Sequence, residues 1–357
     1  MKKTFLTTIA FGLTLGMGLL SFKPKDKRPN ILILFSDDHA LQAISAYDSP
    51  YIKTPNIDRL AKEGAVYQNM FCTNSLCAPS RATLLTGKYS HKNGHRDNLT
   101  KFDAGQPMYP KYLQAAGYQT GWIGKWHLEA TPQYFDYWSV LPGQGAYYNP
   151  DFIEMGGKTV RQEGYATDVI TEKALHWLDQ DRDPSKPFCL VIGHKCPHRN
   201  WQPDTTDLRA FDHVKFPLPK SFYDAYEGRI AAKRQDMTVT KTMRLKEDLK
   251  VDAGNDAFVK RMNPAQRKAW LTYYDQVTAD FKKQNLSGQA LDQWKYQRYM
   301  QDYLGTLLSL DRNVGKVLDY LDKKGLTENT LVVYSSDQGF YLGEHGWFDK
   351  RFIFDQS

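Results

Sequence analysis

The residues with the most chemical content lie in the run Cys77-Ala78-Pro79-Ser80-Arg81-Ala82-Thr83-Leu84-Leu85-Thr86-Gly87. Pro79 suits the first turn of a helix opening at Cys77, and Gly87 suits its end. The unsatisfied N–H groups of that first turn attract an anion, and Ser80 and Arg81 add a donor and a fixed positive charge one turn on. A thiol at such a helix mouth is expected to be acidic. A buried cysteine acting as a small hydrophobe before an ordinary helix is the alternative. Two acidic pairs stand far apart in the chain, Asp37-Asp38 and Asp337-Gln338, each directly after an apolar run. Each alone reads as a strand-end turn or a helix cap. Brought together, they form an all-oxygen set that suits calcium or magnesium rather than zinc.

Cys77, Pro79, Ser80, Arg81, Leu84, Thr86 and Gly87 resemble the signature of the type I sulfatases, within the alkaline-phosphatase-like superfamily. The resemblance implies that Cys77 is a precursor, oxidised after translation to Cα-formylglycine by a separate maturation enzyme. A formylglycine hydrate has two geminal hydroxyls: one attacks a sulfate ester, and the other later expels the bound sulfate by re-forming the aldehyde. A serine would stay trapped as its sulfate ester. The resemblance further implies calcium held by Asp37, Asp38, the modified Cys77, Asp337 and Gln338. Glutamine is the less usual residue at 338, although its amide oxygen is equivalent to that of asparagine.

Three more segments carry the same resemblance. Gly124-Lys125-Trp126-His127 resembles the family's Lys-x-His element, which implies that Lys125 neutralises sulfate oxygens and His127 takes the proton from the second hydroxyl. His194-Lys195-Cys196-Pro197-His198-Arg199-Asn200-Trp201 resembles its Pro-His segment, which makes His198 the acid that protonates the leaving alcohol. Arg199, Asn200 and Trp201 are candidates for sugar contact or for a structural role, and His194 for a supporting one. Gly343-Glu344-His345-Gly346-Trp347-Phe348-Asp349-Lys350-Arg351 resembles the late segment in which a lysine meets the sulfate, here Lys350. His345 either contacts substrate or supports its loop. Metal, Arg81, Lys125 and Lys350 would together select a tetrahedral anion. The sequence is most similar to bacterial sulfatases of glycosaminoglycans and mucin glycans, particularly those removing 6-O-sulfate from N-acetylglucosamine. A formylglycine-dependent phosphonate monoester or phosphodiester hydrolase is the chemical alternative. A catalytically silent glycan-binding relative or inactive fragment is the alternative of another class.

Positioning these groups requires a scaffold with several strand ends at one place. Residues 30–36 form a continuous apolar run suited to a buried parallel strand. A helix over 55–60 stopping at Gly64, a strand over 65–71, a helix over 109–116, a strand over 119–123, a helix over 166–178 and a strand over 188–192 follow. Residues 300–321 read as a long helix and 331–335 as a strand. This alternation predicts an α/β fold, a large mostly parallel sheet sandwiched by helices, with functional groups at the strands' carboxyl ends. Residues 202–289, including the charged stretch 241–250, read as a helical and loop insertion outside the core.

The formal charge is +7, but Lys2, Lys3, Lys23, Lys25, Lys27 and Arg28 against Asp26 place most of it before residue 29. No concentrated basic face remains for nucleic acid. Lys2 and Lys3 before an apolar run give residues 1–22 the pattern of a secretory signal, with 23–28 a linker and 29–357 the catalytic domain. Export to a bacterial periplasm or beyond is expected, with membrane attachment only if the signal stays uncleaved. Cys189 and Cys196 flank one predicted strand and are too far apart to bridge, and Cys72 has no assigned role. Sulfatases usually continue into more sheet and a smaller C-terminal subdomain, so the chain is expected to be truncated.

Overall fold

The computed structural model describes residues 28–356. The predicted signal over 1–22 and nearly all of the linker lie outside the described residues. Seven strands form one sheet: β1 (Asn30–Ser36), β2 (Gln119–Lys125), β3 (Tyr137–Leu141), β4 (Asp151–Glu154), β5 (Thr159–Arg161), β6 (Phe188–Gly193) and β7 (Thr330–Ser336). Their order is β5-β4-β3-β2-β6-β1-β7. The β3-β2-β6-β1-β7 block is parallel, and the antiparallel pair β4-β5 extends it at the β3 side.

The helices are α1 (Pro55–Glu63), α2 (Cys77–Thr86), α3 (Ser90–Asn93), α4 (Tyr109–Ala115), α5 (Ala166–His176), α6 (Ile230–Arg234), α7 (Ala257–Lys260), α8 (Pro264–Gln284) and α9 (Gly288–Lys323). Strand side chains alternate between two faces. Leu32, Leu34, Ile123, Leu190 and Ile192 pack with Ile170 of α5 and Val314 and Val317 of α9. Phe35, Trp122 and Val191 pack on the opposite face with Ala82 and Leu85 of α2. Two covered faces explain why β1 and β6 read as unbroken apolar runs.

Several expectations are corrected. Residues 65–71 form no strand, and Tyr67, Met70 and Phe71 are exposed; β1 is already paired on both sides, by β6 and β7. The long helix starts twelve residues earlier than its apolar pattern, at Gly288. Residues 241–250 form turns rather than a charged helix. The region after Trp201 is no peripheral insertion. Leu208, Phe216, Phe222, Val239, Met243, Leu249, Val259 and Trp270 are buried against Tyr296, Tyr299, Met300 and Tyr303 of α9 in a further apolar core. Its polar loop composition hid these widely spaced anchors.

Among the described residues no helix is long and apolar enough to cross a membrane. Cys77, Cys189 and Cys196 are buried thiols.

Candidate active site

Strand register assembles the site. Ser36 of β1 pairs with Ser336 of β7, so the next residues, Asp37 and Asp337, leave the sheet side by side. Phe35 pairs with Gly193, and Gly193 with Gly124, which brings the start of 194–201 and Lys125 to the same edge. That approach requires glycine: a Cβ on Gly124, whose φ is +103°, would lie 2.1 Å from the Gly193 carbonyl oxygen. The acidic groups therefore meet at the strands' carboxyl ends, as open α/β sheets arrange their sites.

Cys77 opens α2 directly over this edge, fully buried, with its Sγ 3.4 Å from Asp37 Oδ1. Arg81, one turn on, is also fully buried. Its Nε and Nη2 lie 3.1 and 3.0 Å from Asp337 Oδ2, and its Nη1 donates to the Lys125 carbonyl at 2.9 Å. The Lys125 ammonium pairs with Asp37, and the Lys350 ammonium with Asp38. Lys350 Nζ also lies 3.3 Å from Cys77 Sγ. Lys350 is held in place by its own backbone, whose carbonyl accepts from the Ser75 hydroxyl at 2.6 Å. His198 Nε2 stands 3.9 Å from Asp38 Oδ2, while its Nδ1 donates to the Arg199 carbonyl at 2.6 Å. Three buried carboxylates thus face three buried cations and the imidazole of His198.

Burial alone would raise the Asp37 carboxyl, but Lys125, His198, Arg81 and Lys350 outweigh it and hold it well below the ordinary range. Asp38 goes the other way, raised by burial to about 7 against the pull of Lys350. Asp337 is raised to about 6 by burial and by Asp37, against Arg81. Burial is the largest cause of both rises, and a cation bound among these carboxylates would favour their ionised forms. Asp37, Asp38 and Asp337 each place an oxygen within 4.8 Å of the others. Gln338 Oε1 is buried beside them with no hydrogen-bond partner, although its amide nitrogen donates to Asp38. Three carboxylates and an unsatisfied amide oxygen fit a hard divalent cation such as calcium. The expectation of an acidic thiol fails. Burial, reinforced by Asp37, pushes Cys77 up to about 12, so desolvation outweighs the helix mouth.

The model of the sulfatase family matches residues 29–353. The chain belongs to the sulfatase family. It is 49% identical to the N-acetylglucosamine-6-O-sulfatase of Bacteroides thetaiotaomicron over 94% of this chain and 62% of that protein. It is 27% identical to the ulvan-active sulfatase of Formosa agariphila, over 100% of this chain and 61% of that one. The chain therefore spans about three fifths of the length of these curated relatives. A solved structure described as a complex with its substrate D-glucosamine-2-N,6-O-disulfate superposes with a TM-score of 0.89 at 49% identity, covering 92% of this chain and 69% of that one. A phosphonate monoester hydrolase of Agrobacterium radiobacter shares the fold, with a TM-score of 0.57 at 18% identity over 92% of this chain and 66% of that one.

Within this sulfatase-family site the geometry gathers Asp37, Asp38, Cys77, Arg81, Lys125, His198, Asp337, Gln338 and Lys350. His127 joins them through Gln144, whose amide nitrogen is 3.1 Å from His127 Nε2 and whose Oε1 accepts from Lys125 at 2.6 Å. Trp201 is corrected: it is fully buried, packed on Tyr299 and Phe340, and has no surface for a sugar. Arg199 makes a bidentate pair with Asp248 at 2.7 Å, and Asn200 donates to the Glu247 carbonyl at 2.6 Å, so both hold the 194–201 segment. His345 Nδ1 is 2.7 Å from Asp224 Oδ2. His194 is buried with both ring nitrogens unpaired. Sequence reasoning missed Gln144 and Lys195. Lys195 is buried over the Tyr147 ring, its ammonium 4.8 Å from the centroid. Gly143-Gln144-Gly145 offered only a turn signal, and Lys195 passed as one member of a longer motif.

Proposed function

We propose that this chain is the catalytic part of an exported, calcium-dependent sulfatase that removes 6-O-sulfate from an N-acetylglucosamine-type sugar of a glycosaminoglycan or mucin glycan, after conversion of Cys77 to formylglycine. The carrying observation is the convergence of Cys77, Arg81, Lys125 and Lys350 on one buried acidic pocket. Three cations around one small group suit a tetrahedral anion. Support for the sugar comes from the 49% identical relative and its sulfated-glucosamine counterpart. Support for export comes from the signal-like residues 1–22.

Asp37, Asp38, Asp337 and Gln338 would hold the calcium, whose charge would polarise the sulfate oxygens. Formylglycine would supply paired hydroxyls where the high-pKa thiol now stands. Arg81, Lys125 and Lys350 bind and orient the sulfate, the two lysines exchanging an aspartate partner for a sulfate oxygen. His198, which places a ring nitrogen within 4.8 Å of Cys77 Sγ and of an Asp37 oxygen, gives the leaving alcohol its proton. Burial and Lys125 hold His198 well below its ordinary range, so its charging depends on the negative charge the substrate brings. His127 accepts the proton whose loss releases sulfate.

The mass of the Cys77 peptide, from protein made in its own host, tests the reading. Formylglycine lowers it by about 18 Da. An unshifted peptide together with full turnover of a sugar 6-O-sulfate would overturn the proposed chemistry. Preference for a phosphate over a sulfate ester of the same leaving group would overturn the proposed substrate class.

A further inference from the structure

The turn after β3 carries a side chain that ties two of the site's groups together. Gln144 accepts from the Lys125 ammonium at 2.6 Å and meets His127 Nε2 at 3.1 Å. An ammonium only donates, so the amide has one workable orientation: oxygen to Lys125, N–H to His127. The imidazole nitrogen that receives this N–H must be the unprotonated one. The ring proton then sits on Nδ1, which is buried without a partner. The backbone holds the arrangement. Gly145, next to Gln144, has φ +69°, and a Cβ there would lie 2.6 Å from Leu141 Cδ1, so no other residue takes this turn without displacement.

We propose that Gln144 is a positioning residue that links Lys125 to His127 and fixes that ring as the neutral Nδ1–H tautomer, its Nε2 lone pair held by the Gln144 N–H until it takes a proton. This deepens the sulfatase reading, because a proton acceptor must be unprotonated at the nitrogen that takes the proton. The other charges facing His127 act in the same sense. After burial, Lys125 from β2, Arg81 from α2 and Lys350 from the late loop oppose its protonation, and Asp37 after β1 favours it. A carboxylate in place of the Gln144 amide would accept from both neighbours and reverse this balance.

The test uses the full chain labelled with 15N-histidine, with His127 assigned by the signal lost in His127→Asn. Long-range proton–nitrogen correlation at neutral pH is expected to show the Nδ1–H tautomer in the wild type and its loss in Gln144→Ala. In Gln144→Glu the acid limb of kcat/KM is expected to move up by about 1–3 pH units, the change an opposite charge at contact produces. An Nε2–H or charged His127 in the wild type would overturn the proposal. So would an unchanged tautomer in Gln144→Ala, with circular dichroism showing the fold intact. A wild type with the Nδ1–H tautomer, lost in Gln144→Ala, and no turnover of any sulfate ester would uphold this inference and sink the sulfatase reading.

Discussion

Lys350 shows how much one side chain holds at this site. Its ammonium pairs with Asp38 and touches Cys77, and both contacts are buried. Removing one preorganised charge donor from such a site typically lowers kcat by about 10²–10³-fold. Lys350→Ala is therefore expected to lose that much turnover of a sugar sulfate, and a kcat within about threefold of wild type would remove Lys350 from the anion site. His194 makes a prediction about stability instead. Burial lowers it to about 4 from an ordinary 6.5. Between these values the unfolded chain takes up a proton that the folded chain refuses. The contribution is complete above about pH 6.5 and lost as pH falls toward 4, at ~1.4 kcal/mol for each pH unit crossed between the two values. His194→Leu removes the buried unpaired nitrogens as well. Its melting temperature is expected to fall less between pH 7 and pH 4.5 than that of the wild type. Equal slopes would show that His194 does not titrate in this way.

The elements were legible to different degrees, and burial is the reason. β1, β2, β6 and β7 announce themselves because short apolar runs bounded by turn residues suit buried strands better than helices. The strands β3, β4 and β5, at three to five residues, carry too little periodicity. The region joining β6 to α9 reads as solvated because its charges dominate the pattern, yet some of those charges are interior. Lys250 is buried and donates to the Trp201 and Asp248 carbonyls at 2.8 Å and to Asp302 Oδ2 at 2.9 Å. Asp302 in turn accepts from Tyr274 at 2.8 Å and pairs with Arg298. The network clamps the 194–201 segment to α9. Breaking one partner of a buried pair typically costs about 3–5 kcal/mol. Lys250→Met is expected to lose that much in urea unfolding, and a change below about 1 kcal/mol would mean that the clamp is not holding the fold.

At the scale of the whole molecule, β7 ends the sheet on one side among the described residues. Its Leu331 and Val333 are 56% and 38% exposed, although they lie on the strand that leads into Asp337 and Gln338. An unpaired edge beside exposed apolar side chains is a template for association. The 357-residue chain is expected to self-associate in light scattering, and Leu331→Lys with Val333→Lys to reduce this. An unchanged scattering profile in the double variant would place the contact elsewhere.

What the sequence determined alone was chemistry local in the chain. Cys77 to Gly87, Lys125-x-His127, Asp37-Asp38 and Asp337-Gln338 are short, and their resemblance to one family's motifs implied what each could bind or donate. The α/β class was legible too, because alternating periodicities report covered sheet faces. Tertiary structure decided which groups meet and in what state. Register alone sets Asp37 beside Asp337, about three hundred positions away in the chain. Burial turned the expected acidic thiol into one near 12, and placed Trp201 in the core rather than against sugar. Gln144 acquired its place only when the turn after β3 folded across Lys125 and His127. Desolvation and long-range contact depend on what surrounds a residue, and residues distant in the chain supply most of those surroundings.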